Sequence, residues 1–165
     1  MMVMRDDPTA FRILAIDPGL SGAWAVLTRD GDFVEAGDLP RFAGLIDGTQ
    51  LSTIISLFNP RQGVIERVHS MPKQGVSSAF TFGAAYGLTI GVMTGAGLPI
   101  SFVTPQKWKS HFRLSGAMKG ASVQRAVELY PAASAHLTLK KHHNRADAIL
   151  LGRYFVNMAT KGEFV

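Results

Sequence analysis

A chain of 165 residues with no cysteine and a formal charge of +5 is one domain's length, enough to bury a core without staples, and it excludes disulfide scaffolds and thiolate metal centres. The charge is unevenly spread: residues 1–66 hold five Lys/Arg against nine Asp/Glu, a net of −4, and residues 67–165 hold twelve against three, a net of +9. A basic half that keeps only Glu128, Asp147 and Glu163 as acids points to a polyanionic partner, since phosphate contacts dominate nucleic-acid affinity; a merely soluble basic surface is the plainer reading.

The first eleven residues, MMVMRDDPTAF, bring Asp6 and Asp7 early and hold no apolar stretch of signal-peptide length. They are read as a flexible segment over 1–10, ahead of a single domain and in a cytoplasmic protein. Residues 11–22, FRILAIDPGLSG, then give a short continuous apolar run, a carboxylate (Asp17) and a sharp turn, the pattern of a strand covered on both faces. A second run over 23–27 and a third over 33–37, entered through Asp30-Gly31-Asp32, complete an antiparallel meander. Asp17 at the first bend serves equally as a turn cap or as a metal ligand.

Residues 38–48 read as loop. In 49–58, Leu51, Ile54, Ile55 and Phe58 recur at helical spacing before the stop at Asn59-Pro60. Residues 63–66, GVIE, form another short strand ending in an acid. The helix between it and the meander makes it the parallel neighbour of the first strand. Asp17 and Glu66 then stand side by side at one sheet edge, which turn capping does not explain.

From Gln74 to Gln106 no residue is charged. Residues 79–98 have the length of a membrane span, but Thr81, Thr89, Thr94 and Pro99 dilute it, and no membrane association is expected. Gly83, Gly87, Gly91 and Gly95 recur every four residues, a smooth stripe that admits a close partner backbone. The helix is expected to pack on the sheet with one side and on a second subunit with the other; burial within one subunit is the alternative. A fifth strand over 100–103 follows. Thr104 and Pro105 open a short helix over 106–112, in which Trp108 and Phe112 read as core anchors. Another helix covers 122–130, residues 131–141 form a loop, and a last helix runs from His142 or His143 to about 160. On it His143 and Asp147 lie one turn apart and share a face, with His142 and Asn144 as neighbouring candidates.

In this order and spacing, IDPGLSG, the strand ending in IE, the glycine-striped helix, TPQKWK and RADAILL resemble the RuvC-type Holliday-junction resolvases of the RNase H-like superfamily. The resemblance runs from about residue 12 to 158. It is nearest to the branch with the plant chloroplast resolvases and their phage or bacterial relatives, on KQG, WKSHF and KKHHNRADA. It implies an α/β, RNase H-like fold: a five-stranded mixed sheet, the meander plus two parallel strands, flanked by helices.

It further implies that Asp17, Glu66 and Asp147 are the catalytic acids. The fourth member falls three residues before Asp147 in the bacterial pattern, on Asn144, and four before it in the chloroplast-like pattern, on His143, the residue expected to complete the set. Carboxylates of this kind suit two Mg²⁺ ions, with Mn²⁺ as a substitute, in phosphodiester hydrolysis that leaves a 5′-phosphate and a 3′-hydroxyl. The implied substrate is a four-way DNA junction, nicked symmetrically by a homodimer, with no small-molecule substrate. Lys107, Lys109, Arg113, Lys119, Lys140, Lys141 and Arg145 are expected on phosphates, and Met71, Lys73 and Gln74 on bases at the crossover. Phe80 or Phe82 is the nearest aromatic to serve as a wedge. Two rival readings keep the fold, namely another RNase H-like nuclease acting on RNA–DNA hybrid or branched DNA, and a non-catalytic junction-binding protein. An actin-like or sugar-kinase ATPase needs a second comparable domain.

Overall fold

The computed structural model describes residues 10–69, 73 and 75–163; the expectation for the first nine residues, like those for Met71 and Gln74, lies outside them. The meander is present as β1 (Arg12–Asp17), β2 (Ala23–Thr28) and β3 (Phe33–Asp38). Within the expected loop a small hairpin forms from β4 (Arg41–Phe42) and β5 (Leu45–Ile46). Next come α1 (Gly48–Phe58), β6 (Gln62–Glu66), α2 (Val76–Gly95), β7 (Ile100–Val103), α3 (Pro105–His111) and α4 (Ala121–Leu129). Two 3₁₀ turns, Pro131–His136 and Lys140–His142, fill the last loop before α5 (His143–Thr160).

The sheet order is β3-β2-β1-β6-β7, with β1 antiparallel to β2 and parallel to β6, and β6 parallel to β7. This is the expected mixed sheet. Local chemistry sets the element ends. Asp47 caps α1 by accepting the Gln50 N–H, and Asn59 closes it in the left-handed region at φ 44° while its N–H returns to Ile55.

Side-chain alternation splits the core in two. Ile13, Ala15 and Val64 point to the face covered by α5, where Trp108 also packs, whereas Leu14, Ile16 and Ile65 point to the face covered by α1 and α2. α5 is buried over most of its length, and Ile149, Leu150 and Leu151 contribute about 1.5–3 kcal/mol each. It lies very near the sheet. A Cβ at Gly152 would stand 2.6 Å from Leu27 Cδ1 and 3.1 Å from Ala15 Cβ, so any larger residue there requires the buried Leu27 side chain or the helix to shift.

α2 packs on α1 and β5 through a narrow strip that includes Ala85, Thr89 and Met93. It is long and apolar enough to cross a bilayer, and its glycine stripe is exposed, with nothing within 4 Å of a Cβ built at Gly83, Gly87, Gly91 or Gly95.

Candidate active site

The same alternation delivers the acids. Asp17 follows Ala15 by two and Glu66 follows Val64 by two, so both carboxylates leave the sheet toward α5. Ile16 pairs with Ile65 in the parallel ladder, which places Asp17 and Glu66 at matching ends of strands about 4.8 Å apart. The PGLSG turn closes over the end of β1 through Gly22 N–H bonding to the Gly19 carbonyl at 3.0 Å. A side chain at Gly22 would collide with the Asp17 carbonyl. Asp147, half-buried near the start of α5, faces the two strand ends.

The three carboxylates feel one another. Burial raises Asp17 well above the usual carboxylate range, Glu66 and Asp147 push it further, and Lys109 draws it back. Glu66 is raised by burial against the pull of its Trp108 bond and Lys109. Burial also raises Asp147, opposed by Ser122, Lys109 and His143. Among the described residues no three His, Asp or Glu side chains close into a chelating cluster. The acids form instead a set of desolvated, mutually repelling oxygen donors, which is costly without a cation. That donor chemistry fits a hard divalent ion.

Consecutive residues at the start of α5 turn in three directions. His142 is 5% exposed, and its Nδ1 accepts the Leu139 N–H. Burial holds its pKa below the usual histidine value, and with its ring buried and Nδ1 occupied by the Leu139 N–H it serves the structure. Asn144 Nδ2 donates to the Ser21 carbonyl, tying the helix to the PGLSG turn. His143 lines a cleft of about 820 Å³ together with Asp147, Lys109, Lys119, Lys140 and Lys141. Its Nδ1 lies 3.1 Å from the Lys140 carbonyl. A carbonyl only accepts, so Nδ1 is the donor of this bond, which orients the ring and leaves Nε2 on its far side.

The remaining expected phosphate contacts are scattered. Lys107 lines a different groove with His111 and Tyr154, and exposed Arg113 sits at φ 59° just beyond α3. Arg145 is held by Asp38, Nε to Oδ1 at 2.7 Å, and by the His136 carbonyl, so it does not reach the cleft as a free cation. Lys141 also leans on Asp38 at 3.5 Å. Lys73 is exposed at φ 70°. Phe80 is 78% exposed, while Phe82 is half-buried and stacks on Tyr86.

Three roles beside the acids are absent from the sequence reading. Trp108, fully buried, is more than a core anchor: its indole N–H donates to Glu66 Oε2 at 2.6 Å. Ser122 lines the cleft beside Asp147 and draws its pKa down, and Lys109, expected on a phosphate, acts electrostatically on all three acids. The signal was the strand before them. β7 pairs Val103 with Glu66, so the helix opened by Thr104-Pro105 begins beside that acid.

No protein-family model matches the chain. It is 33% identical over 93 residues to the chloroplastic Holliday junction resolvase MOC1 of Chlamydomonas reinhardtii, covering 56% of this chain and 10% of that protein. It is 27% identical over 152 residues to the crossover junction endodeoxyribonuclease RuvC of Chloroflexus aggregans, covering 85% of this chain and 89% of that one. The chain thus spans about a tenth of the chloroplastic relative's length and most of the bacterial one. Among solved structures, Thermus thermophilus RuvC in complex with Holliday junction substrate superposes with a TM-score of 0.63 at 15% identity, over 93% of this chain and 97% of that one. The yeast mitochondrial Holliday junction resolvase Ydc2 gives 0.57 at 14%, over 92% and 81%. The expected likeness to RuvC-type resolvases and the RNase H-like fold are both borne out.

Proposed function

We propose that this chain, similar in sequence to RuvC-type resolvases, is a structure-selective, magnesium-dependent endodeoxyribonuclease that resolves four-way DNA junctions. The observation that carries the reading is the meeting of Asp17, Glu66 and Asp147 beside a lysine-lined cleft. Two Mg²⁺ ions would be held by these acids, with His143 completing the set, and Mn²⁺ would substitute. Such ions supply an activated water and neutralise the departing 3′ oxygen.

The chain's own groups hold and orient. Trp108 holds Glu66 by its hydrogen bond, Ser122 stands beside Asp147, and the Lys140 carbonyl orients the His143 ring, whose Nε2 would face the metal or its water. Lys109 moderates the repulsion among the acids. Lys119, Lys140 and Lys141 neutralise the DNA backbone and set its position without reading sequence.

A junction has two scissile strands related by symmetry, so a two-fold dimer would present two such sites. The open glycine stripe of α2 is the proposed dimer surface, and the proposed setting is cytoplasmic, at the nucleoid. The test is cleavage of synthetic four-way junctions, plain duplex and RNA–DNA hybrid, with Mg²⁺ and with EDTA. Paired symmetric nicks confined to the junction are expected in Mg²⁺ alone. Faster cutting of the hybrid would assign a different RNase H-like nuclease, and junction binding without cutting in any metal would assign a non-catalytic binder. Asp17→Asn is expected to bind junctions and not cut them.

A further inference from the structure

A second cavity, of about 440 Å³, borders Asp17 and shares no residue with the basic cleft. The first turn of α5 stands between the two: His143 lines one and Asn144 the other. Its walls are the PGLSG turn and the beginning of α2, through Ser78, Thr81 and Phe82. Asp17 is the only ionisable side chain among them. The Phe82 ring is fixed from two directions. It stacks on Tyr86 at 6.2 Å and 19°, and it packs under Gly19, where a Cβ would lie 3.3 Å from its Cε2.

This lining selects its occupant. A phosphate needs cations, and none is among the described residues that line the cavity. A metal needs several hard oxygens with charge, and one acid beside hydroxyls is a poor cage. An aromatic ring held on edge and face, with the hydroxyls of Ser78 and Thr81 and the amide of Asn144 nearby, suits a flat uncharged group with mixed donors and acceptors. We infer that the cavity receives one nucleobase of the scissile strand, next to the phosphate cut at Asp17, and that it supplies sequence preference which the lysine cleft cannot. The inference rests on the nuclease reading above. Backbone phosphates run through the basic cleft, and an unstacked base turns into the pocket on the other side of Asp17.

The experiment measures single-turnover cutting by the full chain on a panel of four-way junctions that differ in one base at each position around the crossover. The unsubstituted chain is expected to favour particular bases at one position. Thr81→Val, which keeps the shape and removes the hydroxyl, should flatten that preference by about three- to tenfold, with favoured junctions slowing toward the rate of disfavoured ones. A 2-aminopurine at the preferred position should change its fluorescence on binding to Asp17→Asn protein, and Phe82→Leu in that background should abolish the change. Cutting that persists with the same preference in Thr81→Val and Phe82→Leu overturns the pocket and leaves the nuclease reading intact. Failure of the unsubstituted chain to cut any nucleic acid overturns both.

Discussion

Replacing Trp108 by Phe removes one hydrogen bond and keeps most of the ring. The indole donates at 2.6 Å to Glu66 Oε2, and a bond to a charged acceptor is worth about 1.5–3 kcal/mol. Spent on orienting a metal ligand, that energy corresponds to about 10- to 150-fold, which overlaps the about 10–100-fold typical of lost outer-shell partners. Trp108→Phe is therefore expected to raise the half-saturating Mg²⁺ for junction cutting by about 10–100-fold. The bond also lowers the Glu66 pKa against its burial, so the acid limb of the pH–rate profile should move to higher pH. Phe112→Leu is the control, because Phe112 packs in the same cluster and its ring has no hydrogen-bond donor for Glu66. It should lower the melting temperature and leave the Mg²⁺ dependence in place. Trp108→Phe protein with unaltered Mg²⁺ and pH dependence, despite a lower melting temperature, would refute an orienting role for the indole.

The metal-free protein has a definite pH response. Asp17, Glu66 and Asp147 all have raised pKa values, so the stability they contribute is complete below the ordinary carboxylate range and is lost as pH climbs through their raised values. Thermal melts should show Mg²⁺ stabilising more at pH 8 than at pH 5, and Asp17→Asn should melt higher than the parent at pH 8 without metal. Asp38 runs the other way. Its bond to Arg145 lowers its pKa, so its contribution is present above the ordinary range and lost as pH falls, and Asp38→Asn should cost at most about 1 kcal/mol by denaturant melts because the pair is half-exposed and screened. Gly87→Leu meets open space in one chain and improves helix propensity by up to about 1 kcal/mol; by light scattering it should convert a dimer to a folded monomer, and an unchanged dimer would remove α2 as the interface. Gly152→Ala should destabilise by about 1–3 kcal/mol through overpacking against Leu27 and Ala15, reversing the usual benefit of alanine in a helix, and should slow cutting along with the melt.

Much of this arrangement is legible in the chain because two simple periods carry it. The continuous apolar runs ending in Asp17 and Glu66 fix two strands, the intervening helix makes them parallel, and alternation by two sends both acids to one face. The start of α5 is less legible. Each residue turns a helix by 100°, so His142, His143 and Asn144 face inward, to the cleft and to the PGLSG turn, and a boundary uncertain by one residue exchanges their roles. Trp108 reads as core because a large apolar side chain at helical spacing from Phe112 usually is; its polar edge shows only once β7 is seen beside Glu66. The Arg145–Asp38 pair joins residues 107 apart in sequence, and nothing local announces it. The hairpin of β4 and β5 was missed because two-residue strands carry no period at all.

The close seating of α5 at Gly152 makes the site a gauge. Asp17 and Glu66 ride on the sheet, and Asp147 rides on the helix five residues before that contact, so the spread of the three acids copies the thickness of the layer between them. A methyl group added deep in the interior is then felt as a change in ligand spacing, although it touches no ligand. Drift in the core and drift in the chemistry therefore share one first readout. A substitution that swells the interior and one that alters an acid would arrive at the same phenotype, and the first would be rescued by a smaller neighbour at Leu27 where the second would not.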